Sequence, residues 1–269
     1  MALPQPSESS TCVVTGASSG IGADIARELA RRGQNVTLVA RREDRLRKLA
    51  EEIGRDHGVR AEVLATDIAS IDGRVAMIDE LRTRGRDVEV LVNNAGYGSA
   101  GRFQDLDGEK ETLMVRTNCE AVIALCATYV PGMVERGRGA VLNVASVVAF
   151  QPLPFQATYS ASKAFVLTFT QALTADLHGT GVTATALCPG PVSTEFGQNA
   201  GIGDDEWDSI PDFILTSPEH NAAAAVAALD KGRRQVVPGP FNVASAVAGH
   251  YTPRSVLLGL ARRFYPVGK

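Results

Sequence analysis

The chain is poor in the residues that most often announce a chemistry by themselves. Its 269 residues include four histidines and four cysteines. Cys12, Cys119, Cys126 and Cys188 form no C-x-x-C pair, and each lies in an apolar stretch, so they read as reduced, buried thiols. No metal site is expected. An excess of basic charge is missing too: 27 Lys and Arg against 30 Asp and Glu leave a formal net charge of -3, too little positive field to hold a nucleic-acid backbone. No apolar run reaches the roughly 18 residues that a membrane-spanning helix needs. Residues 1–10 carry Pro4, Pro6 and Glu8 but no basic segment or apolar core of a secretory leader, and are expected to be a disordered tail. These absences point to a cytoplasmic protein that binds small molecules and neither nucleic acid nor a membrane.

What is present is an ordinary globular composition, 45% hydrophobic and 21% charged, which predicts a packed core. Short β-rich apolar runs alternate with helical patterns. Strands are expected near Thr11–Thr15, Asn35–Ala40, Ala61–Ala65, Val88–Asn93, Ala140–Ser146, Val182–Cys188 and Gln235–Val237. Helices are expected near Ile21–Arg32, Arg45–Ile53, Ile71–Arg84, Glu109–Gly137, Gln156–His178 and Pro218–Lys231, the last capped by Ser217 with Pro218 in its first turn. Unbroken alternation predicts an α/β fold: one domain over residues 11–240, a doubly wound parallel sheet with helices on both faces. Beyond it, Phe241–Ala248 and Val256–Phe264 form a helical extension over residues 241–269, expected to pack on the same domain at a substrate mouth or against a partner subunit. Arg262, Arg263 and Lys269 attract a membrane only weakly. The Gly-Ile-Gly-Asp-Asp stretch from Gly201 is expected to be mobile.

The first strand runs into Thr15-Gly16-Ala17-Ser18-Ser19-Gly20-Ile21-Gly22. Glycines at 16, 20 and 22 let the backbone turn tightly and approach a pyrophosphate, and the following helix offers free amides and a partial positive charge. The same stretch spells G-x-S-x-G around Ser18, the elbow of a nucleophilic serine. A hydrolase triad would need a histidine nearby, however, and His57, His178, His220 and His250 all sit in surface-like contexts. Ser160-x-x-Lys163 spells a second nucleophile motif, but its S-D-N and K-T-G partners are absent.

Four further segments fall at the ends of successive strands, where a doubly wound sheet gathers its ligands: Thr66-Asp67, Asn93-Asn94-Ala95-Gly96, Ser146 followed by Tyr159-Ser160-Ala161-Ser162-Lys163, and Pro189-Gly190-Pro191-Val192-Ser193-Thr194. With Thr15–Gly22 they resemble the short-chain dehydrogenase/reductase family over roughly residues 11–240. Tyr159 and Lys163 are four apart on a helix and share a face. A tyrosine of ordinary pKa about 10 is a poor base at neutral pH, and a neighbouring ammonium is expected to bring it closer to the working range. The resemblance implies that Ser146 polarises a substrate oxygen, that Lys163 also holds the nicotinamide ribose, and that Asn118 holds a water in the proton relay. It also implies that Asp67 and Ile68, with Asn94, Ala95 and Gly96, line the adenosine side. Pro189, Gly190, Val192 and Thr194 would pass the nicotinamide, and Ser19, Gly20 and Ile21 the phosphates.

The second strand ends Leu38-Val39-Ala40 and is followed by Arg41-Arg42, with no acid to accept from an adenosine ribose. Arginine pairs well with phosphate, so NADP(H) is favoured over NAD(H), with Arg41 the first candidate, then Arg42, and Ser18 a second contact. The reading is therefore an NADP(H)-dependent oxidoreductase interconverting a carbonyl and an alcohol; the rival is a catalytically idle dinucleotide sensor on the same fold, disfavoured because Ser146, Tyr159, Lys163 and Asn118 are all intact. The segment Phe196–Thr216, which carries Trp207, Ile210, Phe213 and Ile214, is expected to be a lid over an apolar substrate, with Phe150, Leu153 and Phe155 as the opposite wall. The resemblance further implies a homodimer or homotetramer built on the helices that hold Asn118 and Tyr159.

Overall fold

The computed structural model describes residues 3–201, 211 and 213–264. Over them the chain runs β1 (Ser10–Thr15), α1 (Gly20–Arg31), β2 (Val36–Ala40), α2 (Glu43–His57), β3 (Ala61–Ala65), α3 (Ile71–Thr83), β4 (Asp87–Asn93), α4 (Gly108–Val115) and α5 (Ala121–Glu135). It continues with β5 (Gly139–Val144), α6 (Ala157–Asp176), β6 (Val182–Leu187), α7 (Phe196–Asn199), α8 (Pro218–Asp230), β7 (Gln235–Val236), α9 (Pro240–Tyr251) and α10 (Arg254–Phe264). All seven strands are parallel, in the order β3-β2-β1-β4-β5-β6-β7. The order reverses between β1 and β4, which opens a crevice at their carboxyl ends.

Successive side chains of a strand point to opposite faces, and the core divides accordingly. Val14, Leu38 and Leu142 pack with Ile25 and Leu29 of α1, Leu46 and Ile53 of α2 and Leu229 of α8. Their neighbours Val13, Val39 and Val141 pack on the other face with Met77 of α3, Leu125 and Met133 of α5 and Val166 of α6. Every residue of β4 from Val88 and all of β5 is buried, as expected for strands covered on both faces. A side chain as fully buried as Ile25 or Leu91 contributes roughly 1.5–3 kcal/mol relative to an exposed one.

Three local features depart from the sequence expectations. The helix expected over Glu109–Gly137 is interrupted at Arg116–Glu120 by a π turn, and α5 carries Pro131 in its interior. The whole stretch Gly108–Glu135 has the length and apolar content of a membrane span, but here α5 packs on β4 and β5, and α4 and the π turn pack on α6. The expected N-terminal tail is instead tied down over its described part: Leu3 is buried in the core beside α1, Gln34 Nε2 donates to the Pro4 carbonyl at 2.8 Å and Arg60 donates to that of Glu8 at 2.6 Å. Of the four free thiols, Cys12, Cys126 and Cys188 are buried but Cys119, on the π turn, is only half-buried. In the C-terminal extension, α9 packs on the turn Val147–Phe150 beside the crevice.

Candidate active site

The crevice is stitched open by hydrogen bonds. Thr15, buried at the end of β1, donates its hydroxyl to the Val92 carbonyl at 3.1 Å and accepts from the amides of Asn94 and Ala95 at 3.0 and 3.1 Å. Asn94 Nδ2 returns bonds to the carbonyls of Thr15 and Gly16 at 2.9 and 3.3 Å. The glycines in between are required by geometry. Gly16 and Gly20 have φ of 68° and 54°, a region other residues rarely adopt, and a Cβ on Gly22 would lie 2.5 Å from the Gly16 carbonyl oxygen and 2.3 Å from Asn94 Nδ2.

A cleft of about 810 Å³ follows this crevice. Its walls include Gly16, Ser18, Ser19, Gly20, Ile21 and Gly22 from the first turn, Arg41 and Arg42 after β2, and Asp67 and Ile68 after β3. Asn94, Ala95 and Gly96 follow from β4, Ser146 from β5, Tyr159 and Lys163 from α6, and Pro189, Gly190, Val192 and Thr194 from β6. Asn118 lies just behind the wall: a Cβ on Gly96 would meet its Oδ1 at 2.8 Å and Lys163 Nζ at 3.4 Å. These residues fit a nicotinamide dinucleotide, with free helix amides and glycines for the pyrophosphate at one end and a buried hydroxyl pair with an amine at the other. Among the described residues, no cluster of His, Cys, Asp and Glu could hold a metal, and all four histidines are exposed.

At the inner end Ser146 follows β5 in extended backbone and caps the next turn, its hydroxyl accepting from the Val148 amide and donating to the Pro189 carbonyl, both at 3.3 Å. Lys163 Nζ donates to the Val144 carbonyl at 2.8 Å and lies 5.8 Å from the centre of the Tyr159 ring. The expected lowering of the tyrosine by this lysine does not occur. Burial denies the phenolate its hydration and pushes Tyr159 up to about 12, which the neighbouring Ser146 hydroxyl only partly offsets. Burial acts on Lys163 in the opposite sense and brings it down to about 8. The pair thus holds a neutral phenol beside an amine that changes charge near neutrality.

Asn118 is only 1% exposed and sits on the π turn, a helix defect common at functional positions. Its Nδ2 donates to the Tyr97 carbonyl and to Ser162 Oγ, both at 3.0 Å, and its Oδ1 accepts from the Tyr97 amide at 3.2 Å. It therefore braces the strand-end segment after β4 against α6.

Leu153 lines the cleft together with Val147, Val148, Gln156 and Phe196. The other expected wall residues lie elsewhere: Phe150 packs edge-on with His250 at 6.5 Å, and Phe155, at the positive φ of 66°, is not among the lining residues. Of the expected lid, Trp207 and Ile210 lie outside the described residues, and Phe213 is 70% exposed and stacks on Phe241 of α9. In Thr194-Glu195-Phe196, sequence reasoning placed Phe196 at the start of the lid and passed over Glu195. Phe196 packs on the Tyr159 ring at 5.3 Å, and Glu195 pairs with Arg42 and Arg45 at 2.8 and 2.6 Å. An acid next to a cleft threonine was the available signal, but its partners are some 150 residues away.

A family model described as short chain dehydrogenase matches residues 10–207. The chain belongs to the short-chain dehydrogenase family. It is 40% identical over 192 residues, 70% of its own length and 61% of the other's, to a short chain dehydrogenase of Pseudocercospora fijiensis. It is likewise 40% identical over 186 residues to a sulfoacetaldehyde reductase of Chromohalobacter salexigens, covering 68% of this chain and 73% of that one. Among solved structures it resembles a short-chain dehydrogenase from Sphingobium yanoikuyae in complex with NADPH, with a TM-score of 0.79 and 32% identity over 98% of this chain and 97% of that one. Membership makes this short-chain dehydrogenase an oxidoreductase, and its strand order and cleft are those of a nicotinamide-dinucleotide enzyme.

Proposed function

We propose that the protein is an NADP(H)-dependent oxidoreductase that interconverts a carbonyl and a secondary alcohol. The observation that carries the reading is the convergence of Ser146, Tyr159 and Lys163 at the inner end of the same cleft whose outer end is the glycine turn. When bound, the nicotinamide supplies a hydride to the carbonyl carbon or takes one from the alcohol. In reduction Ser146 donates a hydrogen bond to the substrate oxygen, and Tyr159, held protonated by burial, delivers its proton to that oxygen as the negative charge develops. Lys163, whose amine titrates near neutrality, returns a proton to the tyrosine through the polar groups around Asn118 and stabilises the transient phenolate. Asn118, already fixed by Tyr97 and Ser162, holds the relay in place.

Preference for NADP(H) is supported by Arg41 and Arg42 on the cleft wall, by the absence of an acid at the end of β2, where Ala40 is followed by Arg41, and by the NADPH carried by the Sphingobium structure. Arg42 donates to Ser18 Oγ at 3.1 and 3.0 Å, so the two residues form one oxygen-directed pair. Arg41, by contrast, makes no hydrogen bond or ion pair with another described residue. The apolar lining from Val147, Val148, Leu153 and Phe196 favours a carbonyl with an apolar substituent.

A panel of carbonyls and alcohols followed by NADPH absorbance identifies the substrate, and Tyr159→Phe tests the chemistry. The variant keeps the ring against Phe196 and removes the proton, so turnover falls by roughly 100-fold or more with NADPH binding retained. Parental turnover in that variant would exclude Tyr159 as the acid.

A further inference from the structure

The carboxylate of Glu195 belongs to the loop after β6, yet it closes on the opposite side of the cleft. One oxygen is 2.8 Å from an Arg42 guanidinium nitrogen and the other is 2.6 Å from one of Arg45. The remaining donors of Arg42 point at hydroxyls of the first turn, to Ser18 Oγ at 3.1 and 3.0 Å and to Ser19 Oγ at 2.7 Å. Arg42 is thus ringed by oxygens, two neutral and one anionic, and the anionic one comes from another element. Carboxylate and phosphate present the same planar or tripodal oxygens to a guanidinium, so they compete for it. The ion pair is about 41% exposed on the glutamate side, so Glu195 can turn into water when displaced without leaving a charge buried.

We infer that Glu195 is a specificity-determining residue, an internal anion that occupies the guanidinium site of Arg42 and Arg45 and competes there with the 2′-phosphate of the adenosine ribose. The inference rests on the NADP(H) reading above. The carboxylate bridges Arg42 and Arg45 and offsets one of their two charges, and in return they hold it far below the ordinary glutamate range, at about 2. Glu195 therefore stays ionised throughout the neutral range, and the competition does not depend on pH there.

The test is calorimetric binding to the full chain, with adenosine 2′,5′-bisphosphate and adenosine 5′-monophosphate as probes that lack the nicotinamide, alongside NADP+ and NAD+. Glu195→Gln keeps the shape and removes the charge. The expected result is a roughly fivefold to tenfold tightening of the bisphosphate and of NADP+, the scale of losing one exposed ion-pair competitor and its repulsion of a phosphate. Binding of the monophosphate and NAD+ should move by less than about twofold, since neither carries the 2′-phosphate. Glu43→Gln removes a charge on the same surface that pairs with Arg47 instead; equal tightening there would reduce the effect to general charge and overturn the inference. A wild-type protein that prefers NADP+ while Glu195→Gln leaves all four affinities unchanged overturns the competitor role alone. Weaker NAD+ binding in Glu195→Gln overturns it too, because Glu195 would then be accepting from the ribose hydroxyls. No preference for the 2′-phosphate in either protein overturns the cofactor reading and the inference with it.

Discussion

Lys163 is a charge in a place that disfavours charge, and that has a measurable consequence for folding. Its pKa is about 8 in the native protein against 10.5 ordinarily. Between those values the unfolded chain binds the lysine proton and the native chain does not, so stability rises with pH across that window; below pH 8 both states are protonated and the penalty is constant. Tyr159 acts later and with the opposite sign, because its pKa is raised from 10.0 to about 12: above pH 10 the unfolded chain loses a proton that the native chain keeps, and stability falls. The expected profile of the ligand-free protein is a gain of about 1 kcal/mol from pH 8 to 9, followed by a decline as the thiols of Cys12, Cys126 and Cys188, which burial keeps protonated above their ordinary 9.0, and then Tyr159 act against it. Lys163→Met removes the rise, as measured by urea unfolding at each pH, and abolishes turnover. A parallel rise in the variant would locate the titrating group elsewhere.

At the scale of elements, the first turn is the part of the site with the least tolerance. A methyl on Gly22 would lie 2.5 Å from a backbone oxygen of Gly16, a clash no rotamer can relieve, so Gly22→Ala is expected to cost roughly 3 kcal/mol and to lose dinucleotide binding. Gly33→Ala, where the space is open but φ is 81°, costs about 1 kcal/mol and keeps binding; thermal unfolding with and without NADPH separates the two. The glycine turn was readable from sequence because its residues are contiguous, and so were the strand-end motifs, because parallel β/α alternation delivers each of them to the same edge of the sheet. Ser217 likewise caps α8 as expected, its hydroxyl accepting from the His220 amide at 3.1 Å. The π turn was not readable: one extra residue in a hydrogen-bonded loop leaves the apolar period of α4 and α5 almost intact. Nor were the Glu195 bridge and the anchored N-terminus, since each depends on partners brought near only by the fold, and a tail rich in Ser and Pro looks the same whether or not Gln34 and Arg60 hold it. The direction of the Tyr159 shift failed for a related reason: the charge of Lys163 is visible in sequence, but the burial that sets the shift is not.

For the whole molecule, the helices that carry Asn118 and Tyr159 also carry apolar side chains on their outer faces. Val115 and Ile123 of the α4–α5 stretch and Phe165 of α6 are each at least 38% exposed, which supports self-association through these helices. Light scattering is expected to give two or four times the 28.4 kDa chain mass, and Ile123→Glu to return it to the single-chain value; a wild-type protein already at that value excludes the expected oligomer. The sheet itself offers no alternative route. At one edge β7 is two residues long, Gln235–Val236, too short to template a further strand. At the other, β3 presents Glu62 among Arg60, Arg84 and Arg86, a cluster of charge that an incoming strand would have to strip of water. A chain that must fold a long parallel sheet, slowly and with its strands unpaired on the way, is in this way protected at both margins, once folded, against edge-to-edge pairing with a copy of itself.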